Sequence, residues 1–331
     1  MGDVAMTVPV IKMVLDQHPG LHITVVSNAF LQPLFAALPR CTFHPAFLKE
    51  KHQGLAGMYN LFRELNAVKF DAVVDLHGVL RSQLLTTLFS LSAKKTVTID
   101  KGRSEKRRLT RRENKVLVPL TPMHERYAAV FRRAGLEVAL LPGVPVYPPQ
   151  KMPDTLSMIL TTGKPLVGVA PFAQYPEKMY PLEKMESVVK QLSATATVLL
   201  FGGGVGEAAR LQQWEEEMQT VVSMAGKFTL AEELAIISNL QCMVSMDSAN
   251  MHLASLYNIP VISVWGATHP FAGFYGWAQP EENILQASLY CRPCSVFGNK
   301  PCYRGDHACM QLLSTSLLYQ RILQVISSPA N

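Results

Sequence analysis

Residues 244–270, VSMDSANMHLASLYNIPVISVWGATHP, constrain the fold more than any other stretch of this chain. An apolar run ends in Ser245-Met246-Asp247-Ser248. A helix-like segment follows from Ala249 to Tyr257, and a second apolar run, Val261 to Trp265, closes on Gly266. That order reads strand, turn, helix, strand, with small and polar residues at the turn. Such a turn aims free backbone N–H groups and the positive end of a helix dipole at one spot, which suits a phosphate. It also carries an acid, Asp247, and a histidine one turn into the helix, His252. The plainer reading is an ordinary βαβ crossover capped by Asp or Ser, because most such turns in α/β proteins bind nothing.

The same alternation runs along most of the chain. Strands are expected at Ile23–Ser27, Ala72–Leu76, Thr96–Ile99, Val167–Ala170, Thr197–Phe201, Cys242–Ser245 and Val261–Trp265. Helical patterns fall around Val4–Gln17, Leu31–Ala37, Gly54–Asn66, Gln83–Leu91, Met123–Ala134, Leu182–Gln191, Val205–Met218, Leu230–Asn239, Asp247–Tyr257 and Ser314–Ser327. This order predicts parallel sheets covered on both faces by helices. Between Leu140 and Pro153 five of fourteen residues are proline, so neither a helix nor a central strand fits. We read that stretch as a linker between two doubly wound domains, residues 1–150 and 151–331, with ligands bound in the cleft.

Bulk properties narrow the class. A hydrophobic content of 48% excludes a disordered chain. No apolar run reaches the ~18 residues of a membrane span. The N-terminus lacks the basic and apolar pattern of a secretory leader, so a cytoplasmic location is expected. A net charge of +6 favours anionic partners.

Five further groups of residues could carry chemistry. The strand Val167–Ala170 leads into Pro171-Phe172-Ala173-Gln174-Tyr175-Pro176-Glu177-Lys178-Met179-Tyr180-Pro181. A lysine after a strand end could neutralise a phosphate, or simply lie in solvent. Leu199–Glu207 runs a strand into a glycine-rich turn and a helix, but it is not a G-x-G-x-x-G unit. Val73–Ser82 presents Asp75, His77 and Arg81 at a strand end; Arg81 could grip a carboxylate or phosphate, or pair with Asp75. Residues 101–112 hold seven basic residues. No aromatic residues interleave with them, which tells against single-stranded nucleic acid. Cys291, Cys294, Cys302 and Cys309 could hold tetrahedral zinc, remain reduced, or form a disulfide; no partner base marks them for thiol catalysis.

These motifs resemble glycosyltransferase family 9, the ADP-heptose:lipopolysaccharide heptosyltransferases. Asp247–Ala254 matches the family's D-S-G-x-x-H-L-A, with Ala249 in place of Gly. Trp265–Pro270 matches its strand end and G-P-T-x-P, with Ala267 in place of Pro. Pro171–Pro181 is similar to P-G-x-x-x-x-x-K-x-W-P, with Phe172 for Gly and Tyr180 for Trp. Val73–Ser82 resembles D-x-Q-G-x-x-R-S. Relatives in this family carry a similar cysteine cluster.

The resemblance implies a GT-B fold, two Rossmann-like domains facing a central cleft, with a closing helix packed back across the linker. The acceptor would bind the N-terminal domain and the nucleotide sugar the C-terminal one. It implies one-step inverting transfer of a heptose or related sugar, without cofactor or catalytic metal, to a lipopolysaccharide core precursor. Asp3 would be the base and Lys178 the group on the departing diphosphate. Ala173, Gln174, Lys178, Glu207, Asp247, Ser248, Ala249 and His252 would bind the donor, and Asp75, His77 and Arg81 the acceptor. The basic run would suit an acidic acceptor and peripheral contact with the inner membrane surface, and no nucleic acid partner is expected. Heptosyltransferase-like sequences carry an apolar strand before the Gly2-Asp3-Val4 match. The expectation is therefore a start ~10 residues earlier, with Met1 an internal methionine. Other readings keep a footing: a non-catalytic nucleotide or carbohydrate binder, a transferase for another nucleotide sugar, a nicotinamide oxidoreductase needing a true G-x-G-x-x-G, or a nucleic-acid binder resting on the basic run alone.

Overall fold

The computed structural model describes residues 1–157 and 163–327. The chain divides into two units: Met1, Asp3–Arg103 and Thr121–Pro142 form the first, while Gly2, Ser104–Leu120 and Gly143–Asn331 form the second. The boundary expected at residue 150 falls inside the second unit, and most of the basic stretch sides with that unit.

The first unit opens on α1 (Gly2–Ala5) and α2 (Thr7–Gln17). α2 is buried almost all round, at Thr7–Ile11 and Met13–Leu15, with Asp16 and Gln17 exposed. β1 (Ile23–Ser27) pairs in parallel with β2 (Cys41–Pro45). After α3 (Gly54–Asn66), β3 (Ala72–Asp75) leads through α4 (Leu80–Leu91) to β4 (Lys95–Thr98), again in parallel. α5 (Arg103–Leu109) begins the segment that belongs to the second unit, and α6 (Met123–Ala134) packs on α2, β3 and β4. Met58, Leu61, Leu65 and Phe89 from α3 and α4 form a buried cluster. Among the described residues no strand joins the β1–β2 sheet to the β3–β4 sheet.

Two local expectations are corrected here. Residues 31–37 do not form an α-helix; Ala29–Leu34 is a 3-10 turn with Pro33 inside it and Asn28 capping the Phe30 N–H. A proline there removes an amide donor and crowds the preceding turn. The basic run, where no helix is expected, begins as α5, because Arg, Glu, Lys and Leu are all good helix formers.

The second unit carries α7 (Asp154–Ser157), β5 (Leu166–Ala170), α8 (Leu182–Leu192), β6 (Thr197–Leu200), α9 (Val205–Glu217), β7 (Val221–Ser223) and α10 (Leu230–Ile237). It continues with β8 (Cys242–Met246), α11 (Ala249–Ser255), β9 (Val261–Trp265), β10 (Ile284–Gln286), α12 (Ala308–Gln311) and α13 (Thr315–Ser327). Six parallel strands lie in the order β10-β9-β8-β5-β6-β7. β6, β8 and β9 are buried along their whole length, as continuous Val/Leu/Ile/Met runs between two helical layers must be. α13 packs on α8 and β8 of its own unit, with Leu318 and Ile322 in the core.

Candidate active site

Strand order fixes where a ligand can sit in the second unit. β5 has β6 on one side and β8 on the other, so successive crossovers leave β5 in opposite directions. The crevice beyond the carboxyl ends of β5 and β8 is the topological switch point, the place where open α/β sheets bind ligands. The two motifs singled out in the sequence emerge there. β5 leads into the Pro171–Pro181 loop with Lys178 on a 3-10 turn, and β8 leads into Asp247 and Ser248.

The chemistry of that turn is specific. Lys178 Nζ lies 3.0 Å from Asp247 Oδ2, and the two side chains are only 13% and 9% exposed. Ser248, at the N-cap of α11, makes no side-chain cap; its hydroxyl is 3.1 Å from that of Ser245. Neither residue offered by the plainer reading therefore caps the helix, and among the described residues the N–H groups of its first turn have no side-chain acceptor. α10 is different, since Thr229 and Glu232 cap it reciprocally. His252, one turn into α11, is buried with no hydrogen-bond partner on Nδ1. Burial first, and the Lys178 ammonium second, push its pKa down to about 3, so it is a neutral imidazole at physiological pH. Gly2 groups with this unit, and a Cβ there would stand 3.2 Å from His252 Cδ2.

The remaining donor-side candidates differ in standing. Ala173 is half-buried against the core and Gln174 is exposed. The Glu207 carboxylate accepts from the N–H groups of Gly203, at 2.8 Å, and Gly204, at 3.4 Å, and so closes the glycine turn after β6.

Supporting residues lie in the cysteine-bearing loop and escaped the sequence reading. Buried Arg292 donates to the carbonyls of Gly266, Ala287 and Thr268, fixing the turn after β9. The Ala267 N–H in that turn bonds Glu177 O at 3.2 Å, next to Lys178. Gly298, at φ +78°, lies along the Lys178 stem. The only signal was Gly298 itself, since a left-handed residue in a loop favours glycine. Gly298→Ala would put a Cβ 2.4 Å from Lys178 Cγ and force that side chain off Asp247. We expect at least a tenfold loss of donor affinity by calorimetry, with α/β secondary structure retained; unchanged affinity would remove Gly298 from the support of Lys178.

All six cysteines are free thiols. Among the described residues no group of three or more His, Cys, Asp or Glu is placed to hold a metal. Burial lifts the Cys294 thiol to about 11, far from a reactive thiolate.

In the first unit the carboxyl end of β3 gathers the acceptor-side candidates. Asp75 Oδ1 accepts from the N–H groups of His77 and Gly78, both at 2.8 Å, while Oδ2 is buried without a partner. Desolvation, then the Lys101 ammonium, hold the His77 imidazole below its ordinary pKa, and the carboxylates of Asp3 and Asp75 oppose that shift. Asp3, exposed on α1, thus shares an electrostatic neighbourhood with Asp75, His77 and Lys101. Arg81 stands exposed in the first turn of α4 and does not pair with Asp75.

Comparison with solved structures bears on the fold. A solved family 9 glycosyltransferase from Veillonella parvula superposes with a TM-score of 0.74 at 20% identity, over 98% of this chain and 94% of its own. Escherichia coli heptosyltransferase WaaC with ADP superposes with a TM-score of 0.66 at 20% identity, over 98% and 97%. These likenesses define the fold as GT-B. The model of glycosyltransferase family 9 (heptosyltransferase) matches residues 58–301. Lipopolysaccharide heptosyltransferase 3 of Escherichia coli is 26% identical, covering 86% of this chain and 85% of that protein. Lipooligosaccharide heptosyltransferase 2 of Haemophilus influenzae is 28% identical, covering 81% of each. The chain belongs to glycosyltransferase family 9.

Proposed function

We propose that this enzyme transfers a heptose, or a closely related sugar, from an ADP-sugar to a lipopolysaccharide core precursor, with inversion at the transferred carbon and without a catalytic metal. The observation that carries the reading is the Lys178 ammonium beside the uncapped first turn of α11, at the switch point of the sheet. A departing diphosphate needs positive charge where its bridging oxygen becomes anionic, and a fixed ammonium with backbone N–H groups supplies it. Asp247 keeps Lys178 in place and has a second role as acceptor for a donor-sugar hydroxyl. Neutral His252 offers an unpaired ring nitrogen beside it. Ala173, Gln174, Ser248 and Ala249 line the donor, and Glu207 shapes the turn at its nucleoside end. Asp3 takes the proton from the acceptor hydroxyl as that oxygen attacks the sugar carbon and the bond to the diphosphate breaks. Asp75, His77 and Arg81 receive an acidic acceptor, Arg81 through a bidentate contact.

No described helix is long and apolar enough to cross a membrane. A lipid-linked acceptor would bring the protein to the inner membrane surface as a peripheral protein.

The test is a panel of ADP-, UDP-, GDP- and CDP-sugars offered with core acceptor, scored by release of nucleoside diphosphate. Release from the ADP-heptose arm is expected to dominate. Tight donor binding with no release from any arm would make the protein a binder instead of a transferase, and dominance of another arm would replace the donor.

A further inference from the structure

The turn after β4 is locked onto the turn after β3, within the first unit. The Ile99 N–H bonds Asp75 O at 2.9 Å, and Arg103 Nη2 donates to the Gly78 carbonyl at 3.2 Å. Arg126 Nη1 donates to Asp100 O at 3.3 Å, and the Asp100 carboxylate accepts from the Gly102 N–H at 2.9 Å. Gly102 takes left-handed backbone, at φ +59°, and a Cβ there would collide with the Arg126 guanidinium.

Lys101 projects from the middle of this fixed turn toward its neighbour, since a Cβ on Gly78 would meet Lys101 Cε at 3.6 Å. Its side chain is half-buried, and among the described residues no hydrogen bond or ion pair claims its ammonium. Desolvation holds its pKa below the ordinary lysine value, against the carboxylates of Asp3 and Asp75. A half-buried cation without a partner adds nothing to the fold, and such groups gather where charge is used. The charges around it come from three elements: Asp3 on α1, Asp75 and His77 after β3, and Arg103 at the start of α5. His77 feels opposite pulls. Lys101 and the α-amino group of Met1 disfavour the imidazolium, while Asp3 and Asp75 favour it.

We propose that Lys101 is a positioning residue for proton transfer: by disfavouring charge on His77 it keeps that imidazole from pairing with Asp3, and so leaves the Asp3 carboxylate to the acceptor hydroxyl. An imidazolium beside Asp3 would form the ion pair that the base must avoid. The inference rests on the reading of this end of β3 as the acceptor side. It assigns Lys101 no contact with the acceptor, so its effect is present in the protein alone.

The test uses the full-length protein and two readouts. The His77 ring, assigned by its loss in His77→Gln, is titrated by NMR, which needs no turnover. It should protonate about half a pH unit higher in Lys101→Met and at the wild-type pH in Lys101→Arg. The melting temperature at neutral pH should hold, since methionine replaces an ammonium that forms no bond. In diphosphate release, kcat/KM should fall away at a correspondingly higher pH in Lys101→Met, and Lys101→Arg should restore the wild-type profile. In a His77→Gln background, Lys101→Met should leave the acidic limb where His77→Gln alone puts it, because no imidazole remains to be charged. A His77 titration that ignores Lys101→Met overturns the proposal. So does a limb shift that persists without the imidazole. A raised KM for the acceptor with no limb shift also overturns it and makes Lys101 an acceptor contact. Wild-type protein that releases no diphosphate from any donor would sink the proposed transfer instead, and the titration would still decide whether Lys101 sets the charge of His77.

Discussion

Lys178→Met should lower kcat/KM for diphosphate release by about two to three orders of magnitude, comparable to the loss of one oriented donor from a transition-state charge. Its cost to the fold must be separated from its cost to the chemistry. Lys178 and Asp247 are both largely shielded from water, so removing the ammonium strands a carboxylate. Breaking a buried pair on one side costs about 3 kcal/mol or more, whereas neutralising both members is often close to neutral. The informative comparison is therefore Lys178→Met against Lys178→Met with Asp247→Asn. The double variant should recover most of the melting temperature and none of the turnover. Recovery of turnover along with stability would reduce Lys178 to a structural partner of Asp247, and the diphosphate would need another cation.

What the sequence made legible follows from where its signals are local. The run Val244–Pro270 encodes its own strand, turn, helix and strand, because each apolar stretch is long enough to be buried on both faces and each break is small or polar. Lys178 and Asp247 were each found from their neighbours. Their pairing was not, because it depends on β5 and β8 being adjacent, a fact of strand order that neither motif contains. Short strands were missed for a related reason. β7 and β10 have only three residues each, and in β2 Cys41-Thr42-Phe43-His44-Pro45 mixes polar and apolar types on a half-buried edge. Lys106 shows a third limit. In the sequence it is one cation among seven, yet the structure buries it under Phe274, a partner 168 positions away that no local pattern could name. The support around Lys178 is likewise long-range, since Arg292 acts through the turn after β9 and Gly298 lies directly along the lysine stem.

Asp3→Asn should cut turnover by about two to four orders of magnitude while leaving donor affinity within a factor of two, because the amide keeps the shape of the side chain and loses its ability to accept a proton. Asp3 is exposed on α1, so the change should leave the fold intact, and the Tyr127 hydroxyl donates to the Asp3 backbone carbonyl, a contact the substitution does not touch. The experiment needs its competitor beside it. His77 shares the electrostatic neighbourhood of Asp3, and its imidazole is held toward the neutral form, the form that can act as a base, by desolvation and Lys101. His77→Gln should therefore raise KM for the acceptor with a smaller effect on kcat, as expected for a binding residue. The kinetic split decides between them. If Asp3→Asn turns over normally while His77→Gln is inactive at saturating acceptor, the base sits on the turn after β3 and α1 serves only to cover it. If both lose kcat without a change in KM, the proton leaves by way of the pair, and neither residue alone is the base.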